Sequence, residues 1–331
     1  MNETIDIHTH IVPEDFPRYA GKHADTPWPS MMPAHECHRH VMISGKVYRT
    51  VSDGSWSVPR RIEDMDGMRV ARQALSPMPE LLSYWLPLDD AQALIRYLNE
   101  QIAEMIARVP QRFVGLGAVP LQDTEAAIRE LEYVTGRLGF RGVEIASHVN
   151  GASIGEAQFE PFFAAAAKIG ASVFVHALRP AGQDRIVGPF SEQAVCFPGE
   201  IALAAASMIT GGIASRHPAL RIAFSHGGVA MPVLMHRLAH AWARIPKSKE
   251  ALPESPVVYA RRFYYDALVF DPGTARFLVE CYGASQVVLG SDYPFNMADP
   301  DPVGTLERSG LDAATIAAIT WGNGRRFLGI A

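Results

Sequence analysis

The sequence has 331 residues and a formal net charge of -5, with 48% hydrophobic and 20% charged residues. This composition excludes general disorder, because the apolar residues are numerous enough to build a large core. The acidic balance also argues against a nucleic-acid partner, since such proteins need a basic surface.

The chain carries no signal for membrane insertion or export that we recognise. Its N-terminus lacks a basic region followed by an apolar stretch and a small-residue cleavage site, and no uninterrupted apolar run reaches membrane-spanning length. Its cysteines, Cys37, Cys196 and Cys281, are odd in number and widely separated, which is typical of reduced thiols. We therefore expect a soluble, cytoplasmic protein with no membrane partner.

Eight β-rich runs alternate with helical segments along the chain. The runs begin at Thr4, Val70, Phe113, Arg141, Ala171, Leu220, Arg262 and Gln286. Intervening segments such as 89–110 and 123–139 carry apolar residues at helical spacing and end near Pro or Gly. Eight is the number of strands that a closed parallel barrel requires. The pattern predicts an α/β protein with one domain over 1–331, a distorted (β/α)8 TIM barrel.

Two regions interrupt this alternation. Residues 14–60 are rich in Pro, Gly, His and aromatic residues, and we interpret them as an insertion after the first strand that covers the mouth of the barrel as a lid. Residues 179–199 form a Pro- and Gly-rich stretch after the fifth strand, which is either a second lid or a simple connection.

The first strand ends in two histidines, His8 and His10. Residues two apart in a strand project to the same face, but two such histidines alone are as compatible with an incidental surface pair as with a metal site. Other candidate strands also end in polar residues: His176 follows the fifth, His226 the sixth and Asp292 the eighth. In a β/α barrel these ends meet at one mouth, where catalysis takes place.

Three imidazoles and one carboxylate form a ligand set for a divalent transition metal. We therefore assign His8, His10, His176 and Asp292 as metal ligands, with Zn²⁺ expected first and Mn²⁺ or Fe²⁺ still open. Any one of them alone would more often have a structural role. His226 is then left for proton transfer, although it is also compatible with a fifth ligand or a residue that orients one.

Several segments together resemble the amidohydrolase superfamily. They include "IDIHTHIVP", "FSHGG", "RFYYDALVFDPG" and "VVLGSDYPF", and the match is nearest to the branch of metal-dependent decarboxylases that includes aminocarboxymuconate semialdehyde decarboxylase. The resemblance implies a metal on the four assigned ligands, a water bound to that metal and an acid/base role for the histidine at 226. In the mechanism that we expect, Asp292 moves protons as well. It further implies that Arg49 and Arg237 bind a substrate carboxylate, the second from the neighbouring subunit of a homodimer. Without the resemblance, either arginine would be read as a surface ion pair.

The expected activity is non-oxidative decarboxylation of a small unsaturated or aromatic carboxylic acid. The same residues suit a hydrolase or hydratase acting on a lactone, an amide or an unsaturated dicarboxylate through a water activated at the metal, and a metal-dependent binding protein is a third possibility. Ala177 and Leu178 stand where close relatives have Pro and Trp. Since fold and ligands do not fix the substrate, the resemblance leaves the native substrate open.

Overall fold

Parallel strands form the centre of the molecule. The computed structural model describes residues 3–23, 25–189 and 191–330, and within these ranges eight parallel strands lie side by side in chain order. They are β1 (Ile5–Ile11), β2 (Arg72–Pro77), β3 (Phe113–Gly117), β4 (Gly142–Ala146), β5 (Ser172–His176), β6 (Arg221–Phe224), β7 (Tyr264–Asp266) and β8 (Val287–Val288). The segment after β8 returns to β1, where Asp292 N donates to His8 O at 2.9 Å and Thr9 forms a parallel bridge with Tyr293. The predicted (β/α)8 barrel is therefore confirmed, and it is nearly closed.

The pairing of β1 changes register partway along the strand, and its side chains contribute both to the apolar floor and to the polar mouth of the barrel. The pairing of β1 with β2 shifts between Asp6 and Thr9, and such an irregularity re-aims side chains that would otherwise alternate between faces. Ile7 belongs to an apolar cluster with Phe174, and the ring of His8 lies 4.9 Å from that of Phe174. Ile7 of the apolar floor and His8 of the polar mouth are therefore consecutive residues.

Helices surround the sheet. The longer ones are α1 (Val58–Gly67), α2 (Leu88–Arg108), α3 (Thr124–Gly136), α4 (Glu160–Ile169), α5 (Phe197–Thr210), α7 (Met231–Arg244) and α10 (Pro272–Tyr282). The shorter ones are α6 (Ile213–Arg216), α8 (Pro246–Ala251), α9 (Pro256–Ala260), α11 (Pro302–Glu307), α12 (Ala313–Ala317) and α13 (Asn323–Leu328). A side chain caps the start of α3: Asp123 accepts from Ala126 N at 2.8 Å, which satisfies a free donor of the first turn.

Two helical segments are divided. Residues 199–216 form α5 and α6, because Gly212 between them adopts φ +78°, a left-handed conformation that ends a helix. The C-terminal segment is likewise two helices, α12 and α13, joined by a π-helical turn over 318–322. Phe327 of α13 packs with Ile5 and Ala74 at the floor of the barrel.

One helical stretch, Glu192–Thr210, is long and apolar enough by composition to cross a membrane. Half of it is buried in the fold, and Ile201, Ala205 and Met208 are among its residues in the main apolar cluster. Packing around the barrel accounts for this hydropathy, since a core helix needs the same residues.

A small antiparallel sheet occupies the region after β1. Its three strands within the described chain are Pro29–Pro33, His38–Ile43 and Lys46–Ser52, and we call it the flap. Val41 and Val51 pack with Val12, Met78 and other residues in a cluster separate from the barrel floor. The flap thus lies against the loops that follow β1 and β2.

Candidate active site

The ends of three barrel regions supply the predicted metal ligands. His8 and His10 lie on β1, His176 is the last residue of β5, and Asp292 lies in the segment after β8. Asp292 adopts φ +64°, a conformation that costs energy for a residue with a side chain and is often found at functional sites. The structure therefore brings together side chains that are separated by up to 284 positions in sequence.

The four side chains meet at one buried point. One ligand atom from each of His8, His10, His176 and Asp292 lies within 4.8 Å of all the others. Asp292 Oδ1 is 3.3 Å from His8 Nε2 and 3.1 Å from His10 Nε2. Among the described residues, the three Nε2 atoms and Asp292 Oδ1 have no hydrogen-bond partner. Buried polar atoms are rarely left unpaired, so their convergence fits a divalent cation with nitrogen and oxygen ligands.

The opposite nitrogen of each histidine ligand has a partner that fixes its ring. His8 Nδ1 is 2.6 Å from Asp266 Oδ2, His10 Nδ1 is 3.1 Å from the carbonyl of Pro77, and His176 Nδ1 is 2.7 Å from its neighbour's carbonyl at 177. Such bonds keep Nε2 free and aimed at the metal. The fold therefore orients all three rings with Nε2 toward the common point.

Asp266 is a site residue that the sequence interpretation missed. It ends β7, is fully buried, and accepts from the backbone N–H groups of His226 at 3.0 Å and Gly227 at 2.7 Å, in addition to contacting His8. A carboxylate in the apolar strand "RFYYDAL" was a usable signal, because a buried charge needs partners. Asp266 holds both a proposed ligand and the proposed proton carrier in place.

The electrostatics of the cluster favour a cation. Burial raises the pKa of Asp292, but its contacts with His10 and His8 outweigh burial, so the pKa lies well below its usual range. Burial lowers the pKa values of His10 and His176. For His8, burial lowers the pKa, yet the Asp266 and Asp292 carboxylates raise it to about 10. The cluster thus contains an ionised carboxylate and, at His10 and His176, neutral imidazoles, which are the forms that bind metals, whereas His8 has to release a proton when a cation binds.

His226 lies beside this cluster and faces the cavity above it. Its ring centroid is 4.9 Å from that of His176 and 5.3 Å from that of His8, and its Nδ1 is 2.8 Å from Ser225 Oγ. It adopts φ +53° and its backbone N–H is held by Asp266. Burial lowers the pKa of His226 to about 4, so its imidazole is neutral near pH 7 when no substrate charge is beside it.

Glu144 is a second buried acid that the sequence interpretation did not include. It lies on β4, with Oε2 2.5 Å from Ser76 Oγ and 3.5 Å from His10 Nδ1. Burial raises the pKa of Glu144 to about 8. A mostly protonated acid at this position supports His10 without adding a full charge beneath the ligands.

A cavity of about 670 Å³ opens above the cluster. Its walls come from the flap, the turn after β2, residues in and just before the helical stretch Glu192–Thr210, and the segments after β6, β7 and β8. The predicted connection over 179–199 is therefore partly helical, since this stretch begins at Glu192. Arg49 of the flap lines it, with its guanidinium 4.5 Å above the ring of Phe295, and Phe295 in turn stacks on His10 at 5.1 Å. Arg49 is therefore one aromatic ring away from a predicted metal ligand. In size and position the cavity suits a small organic acid.

Arg237 lies outside the cavity. It is exposed on α7 and is not among the described residues that line the cavity. Within one chain, therefore, the structure brings together every predicted site residue except this arginine.

Comparisons with known proteins agree with the geometry. A family model described as amidohydrolase matches residues 5–330. The chain is 35% identical over 328 residues to 2-amino-3-carboxymuconate-6-semialdehyde decarboxylase from Dictyostelium discoideum, covering 98% of this chain and 91% of that protein. It is 27% identical to gamma-resorcylate decarboxylase from a Polaromonas species, covering 80% and 85%.

A solved structure is similar as well. It is 5-carboxyvanillate decarboxylase from Novosphingobium aromaticivorans, complexed with manganese and 4-hydroxy-3-methoxy-5-nitrobenzoic acid. The two chains have 26% identity and a TM-score of 0.73, covering 82% of this chain and 80% of the other.

Proposed function

This chain belongs to the amidohydrolase family and is a metal-dependent decarboxylase, that is, a carboxy-lyase. We propose that it removes carbon dioxide from a small unsaturated or aromatic acid. In this proposal the acid is held between Arg49 and the His8–His10–His176–Asp292 cluster. The observation that carries the proposal is the set of three imidazole nitrogens and one carboxylate oxygen that converge without partners among the described residues. A bound divalent cation would satisfy all four atoms, whereas leaving four buried polar atoms unpaired costs free energy.

The enzyme uses a divalent metal, and we propose Zn²⁺, with Mn²⁺ as the cation most readily exchanged for it. Three histidines and a carboxylate form a set that zinc accepts, whereas the similar carboxyvanillate decarboxylase was crystallised with manganese. When bound, the cation supplies Lewis acidity that polarises a substrate oxygen. The assigned ligands are those whose free atoms converge: His8, His10, His176 and Asp292.

Arg49 binds and orients the acid in this proposal. A guanidinium offers paired donors that match the two oxygens of a carboxylate. The side chain of Arg49 is only 24% exposed and its stacking on Phe295 fixes the plane of the fork. Phe295 and Phe197 both line the cavity, and their aromatic faces suit a planar, conjugated substrate.

His226 supplies the proton. In its protonated form, beside a bound carboxylate, the imidazole donates a proton from Nε2 to the carbon that carries the carboxylate. The carbon–carbon bond then breaks, carbon dioxide leaves, and the bonding electron pair returns to the unsaturated system. The net reaction consumes one proton, which His226 regains from solvent through the cavity. Asp292 assists because its negative charge raises the pKa of His226 and so favours the protonated form that donates.

The subunit arrangement and location are further parts of the proposal. We propose a cytoplasmic homodimer in which Arg237, exposed on α7, reaches the cavity of the neighbouring subunit and adds a second carboxylate contact. Free thiols support the location: Cys37, Cys196 and Cys281 are all unpaired.

Release of carbon dioxide is the decisive measurement. Metal-loaded and metal-stripped protein are each incubated with aminomuconate-type, hydroxybenzoate-type and heteroaromatic carboxylates, and carbon dioxide is quantified. We expect release that depends on the metal and is restored by adding Zn²⁺ or Mn²⁺. If the metal-loaded protein released none and instead added water to a lactone or alkene substrate, the decarboxylase proposal would be wrong.

A further inference from the structure

The turn that carries Asp292 has an unusual backbone conformation. Asp292 adopts φ +64°, in the left-handed region that few residues with a side chain enter. Such a conformation persists only where the surrounding structure enforces it. From this conformation the carboxylate of Asp292 reaches the Nε2 atoms of His8 and His10. Whatever enforces the conformation therefore also sets the geometry of the cluster.

Two buried polar residues beside this turn have no part in the proposed reaction. Asp6 lies on β1, two positions before His8, and Ser291 directly precedes Asp292. Neither residue is exposed to solvent. A buried polar side chain costs free energy unless its atoms are paired, so the partners of Asp6 and Ser291 show what these residues hold in place.

The carboxylate of Asp6 joins the two segments that carry ligands. Its Oδ1 accepts hydrogen bonds from the backbone N–H groups of His8 and Ser291, each at 3.1 Å. Its Oδ2 accepts from the Ser291 hydroxyl at 2.5 Å. One side chain therefore ties the backbone of a ligand on β1 to the residue that precedes Asp292.

The Ser291 hydroxyl extends this connection to the other side of Asp292. While its Oγ donates to Asp6, it accepts from the backbone N–H of Tyr293 at 3.2 Å. The backbone N–H of Asp292 itself donates to the carbonyl of His8 at 2.9 Å. The residues before and after Asp292 are thus linked through one hydroxyl, and the turn cannot relax without breaking these bonds.

We propose that Asp6 and Ser291 are positioning residues, which hold Asp292 in its left-handed conformation and so aim its carboxylate at the metal. The inference rests on the proposed metal site but on neither the reaction nor the substrate. Without the Ser291 hydroxyl, the 291–293 turn relaxes and Asp292 Oδ1 moves away from the histidine nitrogens. The cation then has three imidazoles and a misplaced carboxylate, which lowers its affinity and changes its coordination.

A purely structural role is the competing explanation, because buried hydrogen bonds add to stability wherever they occur. Ser309 is a matched control for it. Its buried hydroxyl also accepts from a backbone N–H two residues further on, that of Leu311 at 3.3 Å, and it donates to the carbonyl of Leu306 at 2.6 Å. Ser291→Ala and Ser309→Ala therefore remove similar bonds, but only the first removes them beside Asp292.

The experiment measures metal binding to the full chain without substrate. The variants are Ser291→Ala, Asp6→Asn and Asp6→Ala, with Ser309→Ala as the control. Competition with a chelator gives the dissociation constants of Zn²⁺ and Co²⁺, and the visible absorption of bound Co²⁺ reports the number and geometry of its ligands. On the metal-free protein, hydrogen–deuterium exchange reports opening of the 291–293 turn, and thermal unfolding reports stability.

We expect Ser291→Ala to weaken both metals by about 10- to 100-fold, the range for losing an outer partner of a ligand. It should also change the Co²⁺ spectrum and speed amide exchange in the 291–293 turn. Ser309→Ala should lower the melting temperature to a similar extent and leave metal binding unchanged. Asp6→Asn should keep more affinity than Asp6→Ala, because its amide oxygen still accepts from both N–H groups. Should Asp6→Ala not fold, Ser291→Ala decides the question.

Two results would overturn the inference while leaving the metal site in place. One is a Ser291→Ala protein that binds both metals as tightly as the original chain and with the same Co²⁺ spectrum. The other is an equal loss of metal affinity in Ser309→Ala, which would make stability the cause.

Metal binding also separates this inference from the reaction. Weaker and spectrally altered binding confined to the Asp6 and Ser291 variants supports the inference even if no tested carboxylate releases carbon dioxide, and only the proposed reaction is then wrong. An original chain that binds neither Zn²⁺ nor Co²⁺ would refute the metal site and this inference together.

Discussion

The metal cluster and the flap sit on opposite sides of one cavity and are built in different ways. The cluster side chains are at least nine-tenths buried, and the three histidine rings are oriented by carbonyl or carboxylate groups. The flap carries exposed apolar side chains, such as Met32 and Val47, beside Arg49. Rigid strand ends favour a fixed reaction geometry, whereas an exposed inserted sheet tolerates change in sequence. We therefore expect the barrel to determine the chemistry and the flap to affect which acid binds.

Removing a ligand tests the cluster most severely. We expect His10→Ala to lower metal affinity by more than the roughly 10- to 100-fold seen when an outer partner is lost, and to abolish carbon dioxide release. Metal content after dialysis is measured by emission spectroscopy. His217→Ala is the control, because His217 bonds to Glu160 on the outside of the barrel and does not line the cavity. Full metal content in His10→Ala would remove it from the ligand set.

Substituting the proton carrier should separate chemistry from metal binding. We expect His226→Asn to keep most of its metal but to lower kcat by about 10²- to 10⁴-fold, the usual contribution of general acid–base catalysis. Turnover and metal content are measured on the same preparation. Stoichiometric loss of metal would show instead that His226 is a ligand.

Substituting Asp266 tests whether metal binding depends on the carboxylate that contacts His8 Nδ1. Asp266→Asn keeps the shape of the side chain but loses the charge opposite His8 Nδ1, so we expect metal affinity to fall by about 10- to 100-fold. The competition of a chelator for the bound metal measures this affinity, and circular dichroism checks the fold. Unchanged metal affinity would mean that backbone geometry alone orients His8.

The flap should affect capture of the substrate more than the chemical step. We expect Arg49→Ala to raise KM by about 10- to 100-fold, since a hydrogen-bonded charge is lost, with little change in kcat or metal content. Arg39→Ala is the matched control from the same sheet, because Arg39 pairs with Glu14 and does not line the cavity. Steady-state kinetics on one carboxylate gives both constants, and an unchanged KM would place Arg49 outside the binding site.

Much of the barrel and its cluster is predictable because the signals are local. Apolar β-rich runs recur eight times, and polar residues such as His176 and Asp292 stand at the ends of such runs. The carboxyl ends of the strands converge in a parallel barrel, so residues at the ends of predicted strands are expected to lie close together in space. Strand lengths were less predictable: β8 contains only Val287 and Val288, because the chain after them turns toward the metal ligands.

Contacts between distant segments were not predictable in the same way. Asp266 and Glu144 resemble isolated charges within apolar strands, and nothing near them in sequence identifies His8 or His10 as their partners. The stack of Arg49, Phe295 and His10 joins the flap, the segment after β8 and β1. The hydrogen bonds between Asp6 and Ser291 likewise become apparent only when the barrel is closed.

The sequence by itself determined the fold class and identified the four side chains that converge, because strand periodicity and strand-end polarity are encoded within a few residues of each other. The tertiary structure alone decided which carboxyl groups support those four side chains and which segments enclose the cavity. These depend on the register of β1, on closure between β8 and β1, and on how the flap packs over the mouth. Each is a sum of long-range contacts that no single stretch of the chain specifies.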